Sequence, residues 1–344
     1  MRIYSALAVL VLLFSVSCSN NGQEEKHFDL VTEIDAVPVS ISEILNPNNV
    51  IKLKDYIVLQ NAVDAAVDVY YVYSCPELEF LYSFAHHGRG PEEYLMPSVI
   101  KNTPCNILGF KDHATDIVAF YELSDTAAVL VGDSKFQSPD YDRFFWEINL
   151  IDDSLFLVKH QGYKRGNREL WSLKSGLKDC VPNTFKKLPD KLGDNYYTIF
   201  DDYLISANGD RFAIVYNFID RIEIGEVRDG KIKIETALGA KRPPKFHLYG
   251  DDTETEFSVD RNIVRYENLY AGEDFIYALY SGARLDDTEK NHSSVIEVYS
   301  WEGEPVQLLR LSTAVAYFAV DEKSRTIYGV NPEQSPDVIL KFKY

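Results

Sequence analysis

The chain has 344 residues, 46% of them hydrophobic, and a formal net charge of −18. That is enough apolar material for one large core, and 23 Tyr with 19 Phe favour pleated sheet. The acidity excludes partners that need a basic face, nucleic acid and anionic lipid headgroups among them, and otherwise serves solubility.

Residues 1–17 read as a leader. Arg2 is its positive end, and residues 6–16 form an apolar run too short to span a bilayer permanently. Ser15-Val16-Ser17-Cys18 resembles a bacterial lipobox, in which small residues precede a cysteine that becomes the lipidated N-terminus; Ser15 stands where Leu is commoner. The competing reading is an ordinary secretory signal beside a chance cysteine. Cys18 is therefore the expected lipidation site, and residues 18–27 the polar tether. Gln23-Glu24-Glu25 looks like the signal that carries lipoproteins to the cell surface in some Gram-negative bacteria. The expected location is the cell envelope, as a surface-exposed outer-membrane lipoprotein held by its lipid.

Residues 28–34 alternate with period two and predict a strand, and residues 41–45 predict a single helical turn. A strand–turn–strand unit then recurs at a period of roughly 50 residues, most clearly at 55–59, 105–110, 153–158, 211–216, 274–279 and 325–330. Turns such as Asn208-Gly209-Asp210 and Arg228-Asp229-Gly230 join the runs with residues that tolerate positive φ. This pattern predicts an all-β, six-bladed β-propeller of antiparallel four-stranded blades over residues 28–344. Residues 134–142, 182–195 and 241–262 break the rhythm as longer loops. The last unit supplies three strands, at 316–320, 326–330 and 338–342, so the strand at 28–34 is expected to fill its fourth place and close the ring.

Candidate ligand contacts come from two places. In Gly88-Arg89-Gly90-Pro91-Glu92-Glu93-Tyr94, two glycines predict a positive φ at Gly88 or Gly90. The loop would cross to the inner strand of the next blade and bring Arg89, Glu92 and Tyr94 to the channel mouth. The competing reading is a structural loop with Arg89 paired to a carboxylate. The loop lacks the Lys-Ser/Thr of a phosphate-binding loop and the helix of a dinucleotide fingerprint. The second place is the aromatic run Tyr141, Phe144, Phe145 and Trp146, with Tyr163 and Trp171 in the same unit. It reads either as a sugar-stacking platform, with Tyr141 and Trp146 as contacts, or as packing between blades.

Metal chemistry has little support. The histidines are scattered, and adjacent His86 and His87 face opposite ways on a strand. The acidic run 251–256 offers carboxylates that suit calcium but lacks the spacing of a defined loop, so a solvated loop competes. Cys75, Cys105 and Cys180 have no metal-type spacing, and a Cys75–Cys105 disulfide competes with three small buried thiols. There is no Gly-x-Ser-x-Gly elbow.

The loop at 88–94, with Val295-Ile296-Glu297-Val298-Tyr299-Ser300-Trp301 and Ile327-Tyr328-Gly329 near the end, resembles the TolB-like six-bladed β-propeller lipoproteins of gut commensals. The likeness covers nearly everything after residue 27. It implies the fold and an envelope location and supplies no catalytic residues. The function expected is a binding or scaffold propeller for a glycan, a peptide or an envelope-protein partner. The competing function is a propeller-type lyase or hydrolase acting on a sugar or lactone through channel carboxylates.

Overall fold

A computed structural model of the protein describes residues 26–44, 46–62, 68–136, 144–161, 167–182, 184, 203–241, 248–250, 255–257, 262–284 and 293–344. The chain enters through β1 (Val31–Ile34) and β2 (Ala36–Ser40). Blade 1 follows, with β3 (Pro47–Lys52), β4 (Tyr56–Asn61), β5 (Asp68–Ser74) and β6 (Phe80–His87), and the short β7 (Glu93–Tyr94) lies parallel to β6. Blade 2 holds β8 (Pro97–Ile100), β9 (Ile107–Asp112), β10 (Ile117–Leu123) and β11 (Ala128–Lys135). Blade 3 holds β12 (Phe144–Asp152), β13 (Leu155–Gln161), β14 (Asn167–Ser172) and β15 (Gly176–Pro182). Blade 4 holds β16 (Tyr203–Asn208), β17 (Arg211–Tyr216), β18 (Arg221–Arg228) and β19 (Lys231–Gly239). A hairpin of β20 (Leu248–Gly250) and β21 (Thr255–Phe257) stands in the long loop before blade 5. Blade 5 is β22 (Ile263–Ala271), β23 (Phe275–Arg284), β24 (Ser293–Ser300) and β25 (Pro305–Val315). Blade 6 is β26 (Tyr317–Asp321), β27 (Thr326–Asn331) and β28 (Ser335–Lys343), completed by β2.

The expected six-bladed propeller is thus the observed fold. Each blade buries both faces, so its middle strands read as nearly continuous apolar runs: β4 and β27 are buried at every position. Six apolar clusters hold the ring together, one at each seam. Phe110 and Tyr70 pack between blades 1 and 2, Phe145 and Trp171 beside Ile100 and Val118 between blades 2 and 3, and Tyr203 and Phe212 beside Leu157 between blades 3 and 4. The remaining seams are filled the same way, and the last joins Val330 and Ile339 to Ile57 and Leu59 of blade 1.

Closure differs from expectation in which strand performs it. The segment at 28–34 contributes β1, which pairs parallel with β25 as an extra outer strand of blade 5. The next strand, β2, pairs antiparallel with β28 and completes blade 6. Pro38 lies in the middle of β2, which weakens its signature as a strand, yet an outermost strand is where proline is tolerated. The helical turn predicted at 41–45 is absent: residues 41–44 carry only a bend, and Leu45 lies outside the described residues. Cys75 and Cys105 are free thiols, not a disulfide, and Cys105 and Cys180 are exposed rather than buried.

Candidate functional site

The inner strands of all six blades enclose a central channel of ≈ 320 Å³. In blades 2, 4 and 6 the ladder between first and second strands is regular along its length. In blades 1, 3 and 5 it is broken by a bulge just after the pairs Pro47↔Asn61, Trp146↔Lys159 and Tyr266↔Tyr280. The extra residues are Asn48, Glu147 and Glu267, and all three line the channel. A bulge re-aims a side chain and disrupts pairing locally, which is why it recurs beside binding sites. Glu147 also holds φ at 50°, a left-handed conformation that costs a non-glycine residue on the order of 1 kcal/mol. An asparagine follows each bulge. Asn49 Oδ1 accepts the Val50 N–H at 2.9 Å, Asn268 Oδ1 the Leu269 N–H at 2.8 Å, and Asn149 Oδ1 the Ala207 N–H of blade 4 at 2.9 Å.

Charge in the channel is balanced. Lys101 Nζ donates to Glu147 Oε2 at 2.6 Å and to the Ile205 carbonyl at 3.2 Å, tying blades 2, 3 and 4. Lys52 Nζ donates to the Lys54 carbonyl at 2.9 Å. Asn102 donates to the carbonyls of Leu150 and Gly209 at 2.6 and 2.9 Å and accepts the Gly209 N–H at 3.0 Å. Burial pushes the phenols of Tyr270 and Tyr317 up, so both remain protonated donors at neutral pH. Asn48 lines the channel, and its Oδ1 is buried with no hydrogen-bond partner among the described residues. Charges of both signs in equal number among amides and hydroxyls suit a neutral, hydrogen-bonding ligand better than a strongly charged one.

The described residues singled out by sequence lie elsewhere. Arg89 and Glu92 are exposed on the loop after blade 1 and are not among the channel-lining side chains. Arg89 forms no ion pair with a described carboxylate. Neither Gly88 nor Gly90 has positive φ; Ala85 and Glu92 do, at 62° and 58°. The glycines serve close approach instead. Gly90 N–H donates to Glu93 Oε2 at 2.6 Å, and a Cβ on Gly88 would lie 2.0 Å from that oxygen. Tyr94 is a core residue, its hydroxyl 2.8 Å from that of Tyr121 and its ring 4.6 Å from Phe110. Trp146 is 39% exposed and stacks 5.5 Å from the His113 ring, outside the channel lining. Phe145 and Trp171 follow the packing alternative, in the core between blades 2 and 3. Cys18, Tyr141 and residues 251–254 lie outside the described residues. The channel residues carry a signal in Asn48-Asn49, Glu147-Ile148-Asn149 and Glu267-Asn268, polar breaks in the inner strands of alternate blades.

A family profile described as TolB-like 6-blade propeller-like matches residues 44–323. No curated protein matches the chain. Among solved structures, a Bacteroides fragilis protein described as exported superposes with a TM-score of 0.55 at 12% identity, covering 92% of this chain and 97% of that one. A luciferin-regenerating enzyme gives 0.50 at 7% identity, covering 90% and 95%. Raptor from Chaetomium thermophilum gives 0.46 at 10% identity, with 89% of this chain covering only 28% of that one. At these identities the likenesses speak to the fold alone.

Proposed function

This chain belongs to the TolB-like six-bladed propeller family, and on that premise we propose that it is a cell-envelope binding lipoprotein whose central channel takes a small, uncharged polar ligand, a glycan foremost. The observation that carries the reading is the set of three bulges that turn Asn48, Glu147 and Glu267 into the channel. A scaffold that only displayed its outer surface would gain nothing from a left-handed Glu147 or from an unsatisfied Asn48 acceptor. The leader and the lipobox-like Cys18 support the envelope location.

A lyase or hydrolase reading keeps one observation in its favour, since Glu147 and Glu267 both face the channel. Against it, Glu147 is engaged by the Lys101 ammonium at 2.6 Å, a structural ion pair between blades 2 and 3. The test is a screen of the purified protein against glycan and peptide arrays, with hits confirmed by calorimetry. Saturable glycan binding without turnover supports the proposal. Turnover of a sugar or lactone that Glu147→Gln abolishes would replace it with the enzymatic reading, and an array with no hit would sink it.

A further inference from the structure

Lys26 stands ahead of β1, and its ammonium is enclosed at the seam between blades 4 and 5. It donates to Asp220 Oδ1, in the loop between β17 and β18, and to the Tyr266 hydroxyl, and it lies 3.3 Å from Glu297 Oε2. It sits 4.9 Å from the centroid of the Tyr266 ring and 5.5 Å from that of Tyr280. The Tyr299 hydroxyl donates to the same Glu297 oxygen at 2.7 Å, and Phe28 packs edge-on against Tyr299. Tyr266, Tyr299 and Glu297 are buried, while the Lys26 side chain keeps 11% exposure. The lysine that sequence assigns to the tether is therefore a docked residue.

The repeat explains why a cation is needed from outside. Glu169, Glu223 and Glu297 hold corresponding places on the third strands of blades 3, 4 and 5, opposite Val158, Ile214 and Ala278. Two residues along each second strand, His160, Tyr216 and Tyr280 pair with Phe145, Tyr203 and Tyr266. Blade 3 turns Arg168, the neighbour of Glu169, onto blade 4, where it lies over the Tyr203 and Tyr216 rings and donates to Glu223 at 2.6 Å. Blade 4 has Ile222 in the place of Arg168, buried in the apolar cluster of the next seam. Among the described residues, the matching tyrosine–glutamate cage of blade 5 thus receives no cation from blade 4, and a buried carboxylate without one is costly.

We propose that the Tyr266–Tyr280–Glu297–Asp220 pocket is a binding site for a primary alkylammonium group, with Lys26 as its resident ligand and free amines as competitors. Two carboxylates and the faces of two phenol rings meet the requirements of an ammonium on a flexible stem. The chain leading back to Cys18 is thereby latched to this seam.

Lys26→Ala in the full chain tests the site, with n-butylammonium as a copy of the lost side chain. Removing the cation should lower Tm by about 5 °C or more. Millimolar n-butylammonium should recover most of that loss saturably, with little effect on wild type, and n-butanol should not. Glu297→Gln in the same background should abolish the response. An unchanged Tm in Lys26→Ala, no recovery, or equal recovery by butanol would overturn the proposal. Should Lys26→Ala fail to fold, amine acylation of the wild-type protein decides. Lys26 should react roughly tenfold more slowly than exposed Lys323, and equal rates would overturn the site.

Discussion

Gly88 and Gly90 are required by a side chain rather than by a backbone angle, since the Glu93 carboxylate occupies the space a Cβ would take. Gly88→Ala should push Glu93 away from the Gly90 N–H and cost about 1 kcal/mol in denaturant unfolding. In a Glu93→Ala background the same change should stabilise by about 0.5 kcal/mol, because only the unfolded-state entropy remains; equal effects in both backgrounds would refute this account. His113 makes a second residue-scale prediction. Burial, aided by Lys111, lowers its pKa from 6.5 to about 4. Between those values the unfolded chain binds a proton that the folded protein does not, so stability should fall as pH drops from 6.5 to about 4 and then level off for this group. Tm measured across that window should decline less steeply in His113→Gln, and parallel curves would show that His113 does not titrate as described. Glu223 adds to acid sensitivity lower down: burial opposes its ionisation, but Arg168, Thr184 and Arg221 outweigh that and hold its carboxyl below the usual range. Its contribution is present above the ordinary glutamate pKa and is lost as pH falls through the depressed one.

At the scale of elements, much was legible because a blade buries both faces. The runs at 211–216 and 325–330 could only be inner-sheet strands, and Gly209 and Gly230 hold the positive φ their turns require. What escaped is where long-range register decides. Alternation at 28–34 identifies a strand but not its partner, and β25 and β28 both present open outer edges to it. Bulges escaped for a related reason: Asn48, Glu147 and Glu267 look like ordinary polar positions until cross-strand pairs show an extra residue. Truncation tests the closure. A chain beginning at Lys26 keeps every described strand, one beginning at Asp35 loses β1, and one beginning at Ile41 loses β2 as well. The last should be less stable than the second by on the order of 3 kcal/mol, since it opens β28 at the ring's closing blade. Equal midpoints for those two would mean that β2 does not close the ring.

The whole molecule is a ring with a polar channel and an N-terminal segment fastened to its outside. Its aromatic richness told of seams, where Tyr94, Phe110 and Phe145 lie, and sequence does not separate such buried rings from ligand-facing ones. Anchoring belongs to this scale too. Intact mass of membrane-extracted protein should show residues 1–17 removed and acyl chains on Cys18, and Cys18→Ala should leave the membrane, since two or more chains are needed for stable attachment; retention of Cys18→Ala at wild-type level would contradict lipidation. The central claim is that recognition occurs in the channel and not on the loop after blade 1. Titration calorimetry with an array-selected glycan, run on wild type, Asn48→Ala and Arg89→Ala, tests it most directly. Asn48→Ala should weaken binding roughly tenfold at unchanged Tm, while Arg89→Ala should bind like wild type. Full affinity in Asn48→Ala together with loss of binding in Arg89→Ala would contradict it.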